Sequence, residues 1–336
     1  MNEGPAPSSA RKSGRLKVGW LLRLAGSAAV LALIFHFVPV HEVWREARRL
    51  SPALWAAGLA LFLLGHAAAA AKWRLLIGPG VSFGEALRAH LAGLAANLCL
   101  PSVAGGDVVR AGLVYRQAED PARLAAGSVA DRLLDTFGLA MIATLGGLLA
   151  FGIGGPGRPA LTLAAAVAVA GVAALLLAVT ISRRLAGANP FPGKFARMLN
   201  SVLRAAAELA RRPGRLLACL GMSLVIQAVF IMINIAFALA AGVKAPAAAW
   251  FFAWAAAKII AIAPVSLGGL GVREASMAGL LAPFGADPAQ VVAIGLVWQT
   301  LLYVSGLLGL AVQFAWNPAA RRTRAAPLAP SPERSA

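Results

Sequence analysis

Residues 101–110 (PSVAGGDVVR) and 264–273 (PVSLGGLGVR) fit one pattern, P-x-x-x-G-G-x-x-V-R, without a gap. The residue types in that pattern suit the binding of an anion. A proline ends an incoming helix, because it lacks an N–H and disfavours helical geometry in the residue before it. The pairs Gly105–Gly106 and Gly268–Gly269 permit a tight turn and close approach of a ligand to the backbone. A helix opening just after them offers unpaired N–H groups and the positive end of its dipole. Arg110 and Arg273 then fall about one turn into such helices, where a guanidinium can hold a phosphate through two parallel hydrogen bonds. The same arginines can equally hold the hairpin together, by pairing with Asp107, with Glu274 or with a helix end.

Asp131, Arg132 and Asp135 make a second charged cluster. Asp131 and Asp135 are four apart and share a helix face. They can relay protons or neutralise Arg110 or Arg132, and neutralisation is the role expected. Lys258 suits a buried partner for Glu274 or a ligand contact. Ser223, Gln227 and Asn234, with Gln299 and Tyr303 further on, suit hydrogen bonds between helices. His36, His41, His66 and His90 share no spacing and take no role. Cys99 and Cys219 lie within or beside apolar sequence without metal-ligand spacing, so neither a disulfide framework nor a metal site is expected. No residue stands out as catalytic; Glu119 and Asp120, just before Pro121, resemble a helix cap. No cofactor is expected.

The elements that must position these groups lie in a bilayer. Of 336 residues 60% are apolar and 13% charged, half the charge of an ordinary soluble domain, and mean hydropathy is +0.76. The net charge of +18 would suggest nucleic acid in a soluble chain. Here the basic residues gather between apolar runs, as the positive-inside rule places them, and no nucleic-acid partner is expected. Full spans are expected at about 18–38, 53–72, 125–151, 159–181, 215–241 and 288–316. Regions of about 86–118 and 247–285 are each broken near the middle by Pro and paired Gly. The first span is too long for a cleaved signal peptide.

An amino terminus in the cytoplasm, with Arg11, Lys12, Arg15 and Lys17, puts Lys72 and Arg74, Arg183 and Arg184, and Arg321, Arg322 and Arg324 on the inner side. The parity holds with each broken region as a re-entrant hairpin or as a pair of full spans; the short half after Gly106 favours re-entry. Residues 194–212 alternate apolar and basic positions as an amphipathic helix on the inner surface would. Trp44, Trp55, Trp73, Trp250 and Trp316 fall near span ends, as interface anchors do.

The expected fold is therefore an all-α polytopic membrane bundle with two inverted repeats, about six full spans and two re-entrant hairpins. Its organisation would be a basic segment at 1–17, a membrane domain at 18–316 and a polar tail at 317–336. Within the membrane domain the repeats run 53–151 and 215–316. Three full spans separate the start of one unit from the start of the next, so the second would lie upside down relative to the first, as in many secondary transporters.

Residues 97–116 (NLCLPSVAGGDVVRAGLVYR), the cluster 131–135 (DRLLD) and 263–275 (APVSLGGLGVREA) resemble the lysylphosphatidylglycerol synthase transmembrane family, also called the flippase-like domain family. The resemblance covers roughly residues 15–316. It implies a membrane module that moves a lipid between leaflets, fused in some members to a soluble aminoacyltransferase domain. About twenty residues follow the last span here, so lysyl transfer is not carried over. Relatives of this shape act with hopanoid or glycolipid pathways. Three functions stay open: translocation of a phospholipid or glycolipid, transfer chemistry on a polyprenyl- or hopanoid-type lipid, and a scaffold for a separately encoded lipid-modifying enzyme. The expected location is the bacterial inner membrane with both termini cytoplasmic. A homodimer and that separate enzyme are the candidate protein partners.

Overall fold

A computed structural model describes residues 48–99, 103–152, 194–262 and 271–315, with a few isolated positions elsewhere. Among the described residues the fold is all-helical. Four of the described helices are long and apolar enough to cross a membrane: α1 (Pro52–Ile77), α4 (Pro121–Phe151), α6 (Pro213–Ala240) and α9 (Pro288–Ala315). Short helices lie between them: α2 (Phe83–Cys99) and α3 (Val103–Val114), then α5 (Lys194–Ala210), then α7 (Ala247–Ile260) and α8 (Val272–Leu281).

Local chemistry sets the boundaries. Each long helix has proline at its first position, where the missing N–H costs nothing. Ser51 Oγ accepts from Leu54 N–H at 3.1 Å ahead of α1, and Asp120 Oδ1 accepts from Ala122 N–H at 2.8 Å ahead of α4. Asp120 is thus the cap that its place before Pro121 suggests. The expected spans at 53–72, 125–151, 215–241 and 288–316 correspond to α1, α4, α6 and α9. Two ends differ by more than a turn: α1 runs on to Ile77 and stops at Gly78, whose φ is +94°, and α4 begins at Pro121. The spans expected at 18–38 and 159–181, the segment 1–17 and the tail lie outside the described stretches.

Each broken region forms two helices packed on each other, α2 on α3 and α7 on α8. At 1.5 Å per residue, α3, α7 and α8 are each too short to cross a core of about 30 Å. One expectation is corrected here. Gly105 and Gly106 lie inside α3, which begins at Val103, and do not form a turn ahead of it. A Cβ at Gly106 would stand 2.4 Å from Asn97 Oδ1 and 2.5 Å from the Gly93 carbonyl oxygen, so this glycine serves the close packing of α3 on α2. Pro101, Pro264, Gly268 and Gly269 lie outside the described residues.

The helix pairings have an internal order. α1 packs on α6, α4 on α7 and α9 on α2. Exchanging α1–α4 for α6–α9 turns α4 on α7 into α9 on α2, α3 on α4 into α8 on α9, and α1 on α4 into α6 on α9, all of which are present. Small residues make these contacts close, since van der Waals packing holds membrane helices together. A Cβ at Gly146 of α4 would lie 2.7 Å from Phe252 N on α7, and one at Gly309 of α9 would lie 2.2 Å from the Leu91 carbonyl oxygen on α2. Backbone atoms cannot turn aside as a side chain can. Gly309→Ala should therefore destabilise by about 1–3 kcal/mol, read as a lower unfolding temperature in detergent. Gly221→Ala, with open space around it, should leave that temperature unchanged.

Candidate polar site in the bundle interior

Lys72 lies more than a turn inside α1 and is 1% exposed. Its Nζ pairs with Asp135 and stands 3.1 Å from Asp131 Oδ1 and 2.8 Å from Ser223 Oγ. Ser223 Oγ in turn donates to Asp135 at 2.7 Å. One ammonium therefore ties α1 to α4 and α6. The four-residue spacing of Asp131 and Asp135 does put both carboxylates on one face of α4, toward that ammonium.

Arg110 comes next. It is 3% exposed, and its Nη2 donates to Asp131 Oδ2 at 3.0 Å and lies 3.3 Å from Asp107. Its guanidinium carbon is 4.3 Å from the centre of the Trp73 ring, and its buried Nε has no partner among the described residues. Arg132 pairs with both oxygens of Asp107. Arg110 is thus neutralised by Asp107 and Asp131, Arg132 by Asp107, and Asp135 serves Lys72. Because α3 starts at Val103, Arg110 lies about two turns into its helix and not one, so a helix N-terminus adds little to its surroundings.

Arg110 also reaches a histidine pair. Its Nη1 is 3.3 Å from His90 Nδ1, and His90 Nε2 is 3.0 Å from His66 Nδ1. A guanidinium can only donate, so His90 Nδ1 accepts. The His90 proton then sits on Nε2 and is given to His66 Nδ1, which leaves the His66 proton on its own Nε2. That nitrogen is buried and has no partner among the described residues.

The second copy of the motif delivers a smaller cluster. Arg273 is the second residue of α8 and 8% exposed, so it does lie in the first turn. It pairs with Glu274, donates to Gln299 Oε1 at 3.0 Å and lies 5.4 Å from the Trp254 ring centre. Glu274 is fully buried and also accepts from Gly271 N–H at 2.8 Å. Gly271 has φ +82°, a conformation that any residue with a Cβ resists. Lys258 does not pair with Glu274. It donates to Gln227 Oε1 at 3.0 Å, because both face the same gap between α6 and α7. Asn234 is fully buried, and neither of its amide atoms has a partner among the described residues.

A chain of ring contacts joins the two arginines. Arg273 faces Trp254, whose ring lies 4.8 Å from that of Trp298. Trp298 is 5.1 Å from Phe62, and Phe62 is 4.4 Å from His66, which leads through His90 to Arg110. The contacts also match between the two sets of helices. His66 with His90 joins α1 to α2, as Gln227 with Lys258 joins α6 to α7. Arg110 with Asp131 joins α3 to α4, as Arg273 with Gln299 joins α8 to α9.

Lys72, His66, His90, Trp73 and Trp254 are the site residues that sequence reasoning missed. Lys72 had a signal: the helix stop is Gly78-Pro79-Gly80, six residues beyond it, so it could not be an end charge. Trp73 and Trp250 are buried and do not anchor the interface, whereas Trp44 is exposed. Trp316 lies outside the described residues. Among the described residues no group of His, Cys, Asp and Glu is arranged to hold a metal ion.

Four apolar spanning helices around a buried ionic interior define a multi-pass membrane protein. Residues 20–309 match the family of the lysylphosphatidylglycerol synthase TM region, and the chain belongs to that family. Comparison with curated proteins and with solved structures finds no match.

Proposed function

We propose that this chain moves a polar, phosphate-bearing or aminoacylated lipid between leaflets, with Arg110 and Arg273 contacting the headgroup from the two sides of one interior site. The observation that carries this is the matched burial of the two arginines. Each is the last residue of the same ten-residue motif, faces a tryptophan ring and reaches the long helix that follows it. Buried charge inside a membrane is expensive and marks substrate paths more often than scaffolding. Arg110 Nε adds a donor with no partner among the described residues, free for a phosphate oxygen. Family membership places the chain in lipid biology. The exchange symmetry of the helix pairings supports inverted repeats, which present one copy of a site to each leaflet. The matching hairpins, α2 with α3 and α7 with α8, then re-enter from opposite sides.

Two experiments bear on this. Native mass spectrometry of the purified protein should find a phosphate-bearing lipid bound, and Arg110→Lys with Arg273→Lys should lose it, because an ammonium lacks the planar fork. A protein that carries no such lipid would favour a scaffolding role. The proposed orientation puts both termini and the 111–124 segment in the cytoplasm of a bacterial inner membrane. With Cys99 and Cys219 replaced by serine, Lys244→Cys should react with an impermeant thiol reagent in intact cells, and Glu119→Cys should not. The reverse pattern would invert the topology.

A further inference from the structure

At one end of the bundle α4, α5 and α6 meet around a cavity of about 200 Å³. Arg123, Arg211, Arg212 and Arg215 face into it, with Glu208 as its one carboxylate and Leu209 in its floor. Arg123 is the third residue of α4 and Arg215 the third residue of α6. Both helices are long enough to span a bilayer, so a cavity at their shared starting end lies at the water–lipid boundary. The arginines come from separate elements and converge, leaving three positive charges in excess. Among the described residues none of the four guanidiniums has a hydrogen-bond or ion-pair partner. That sets them apart from Lys72, Arg110, Arg132 and Arg273, each of which has a carboxylate partner. The Arg123 side chain lies against Gly78, where an added Cβ would stand 2.5 Å from its Nε.

From this geometry we infer a second anion site, for a phosphate group at the surface of the membrane leaflet in which α4 and α6 begin. It shares no residue with the interior site and does not rest on the lipid-moving function. The volume is below the roughly 300–1,000 Å³ of pockets that enclose drug-sized ligands. It takes a headgroup phosphate or an inorganic one, not a whole lipid. Guanidiniums suit a tetrahedral oxyanion because they donate in pairs. The dipoles of α4 and α6 add to the same field. The lipid headgroup is the favoured source, because α5 packs on both helices there and its alternating apolar and basic positions suit a helix at the bilayer surface.

The test is isothermal titration calorimetry on the full chain in phosphatidylcholine nanodiscs, titrated separately with dihexanoyl phosphatidylglycerol and with inorganic phosphate. Saturable binding of the short-chain lipid is expected, weakened about tenfold or more by Arg211→Gln with Arg215→Gln and reduced by salt. Glu208→Gln should tighten it, because the one repelling carboxylate is gone; a loss of folding cannot imitate that gain. Binding of inorganic phosphate with the same dependence on these variants would also support the site and identify a soluble anion as its ligand. If neither probe binds, or if binding ignores these variants and falls only with Arg110→Lys and Arg273→Lys, this second site does not exist. The last outcome would leave the interior site standing.

Discussion

Lys72→Met should cost most of the folded protein. The ammonium is 1% exposed and faces Asp131, Asp135 and Ser223. Removing it leaves Asp135, whose side chain is 26% exposed, with only the Ser223 hydroxyl as a donor partner and leaves the buried Asp131 to Arg110 alone. Breaking one side of a buried ion pair costs about 3–5 kcal/mol, a large share of the roughly 5–15 kcal/mol that holds an ordinary domain together. The expected result is a sharp fall in monodisperse yield and in unfolding temperature in detergent. Adding Asp135→Asn to Lys72→Met should restore much of both, since the second change removes the stranded charge while the amide oxygen still accepts from Ser223. By the same logic Asp135→Asn alone should lower folded yield together with activity. A stable, well-folded Asp135→Asn protein that transports nothing would instead assign the carboxylate to proton relay.

Arg110→Ala and Arg273→Ala carry the second large effect, and it should fall on transport. Arg273→Ala strands Glu274, which keeps only the Gly271 N–H, so Arg→Lys at each position is the necessary companion. Lysine keeps the charge that Glu274, Asp107 and Asp131 need but offers no bidentate grip on phosphate. Each Lys variant should fold and exchange lipid more slowly, and each Ala variant should exchange none. Because one headgroup must pass both arginines, the double Ala variant should be little worse than either single one. If the two partial Lys defects multiplied in a double Lys variant, the arginines would act on independent steps.

How much of this was legible in the sequence differs by element. The long helices were, because apolar runs, an initial proline and a glycine stop coincide in α1 and α4. The pairing of Arg273 with Glu274 was one of the expected alternatives, and Asp107 was a named partner for Arg110. The histidine pair was not legible, since His66 and His90 meet only when α2 folds back on α1. Lys72 was assigned to a helix end because a lysine closing an apolar run usually stands there; Gly78-Pro79-Gly80 marked the true end. The glycine pair at 105–106 suggested a turn, yet packing on Asn97 and Gly93 keeps it helical. Glycine marks close approach and chain reversal alike, and only the neighbouring helix decides between them.

The measurement closest to the central claim is the leaflet exchange of a fluorescent phosphatidylglycerol in proteoliposomes, followed by quenching of the outer leaflet. Wild-type protein should make the whole fluorescent pool accessible to the quencher. The Arg110→Ala and Arg273→Ala proteins, incorporated at equal amounts and shown to be folded, should leave the inner half protected, as in protein-free vesicles. Exchange at the wild-type rate by both variants would make the two arginines structural and contradict the account.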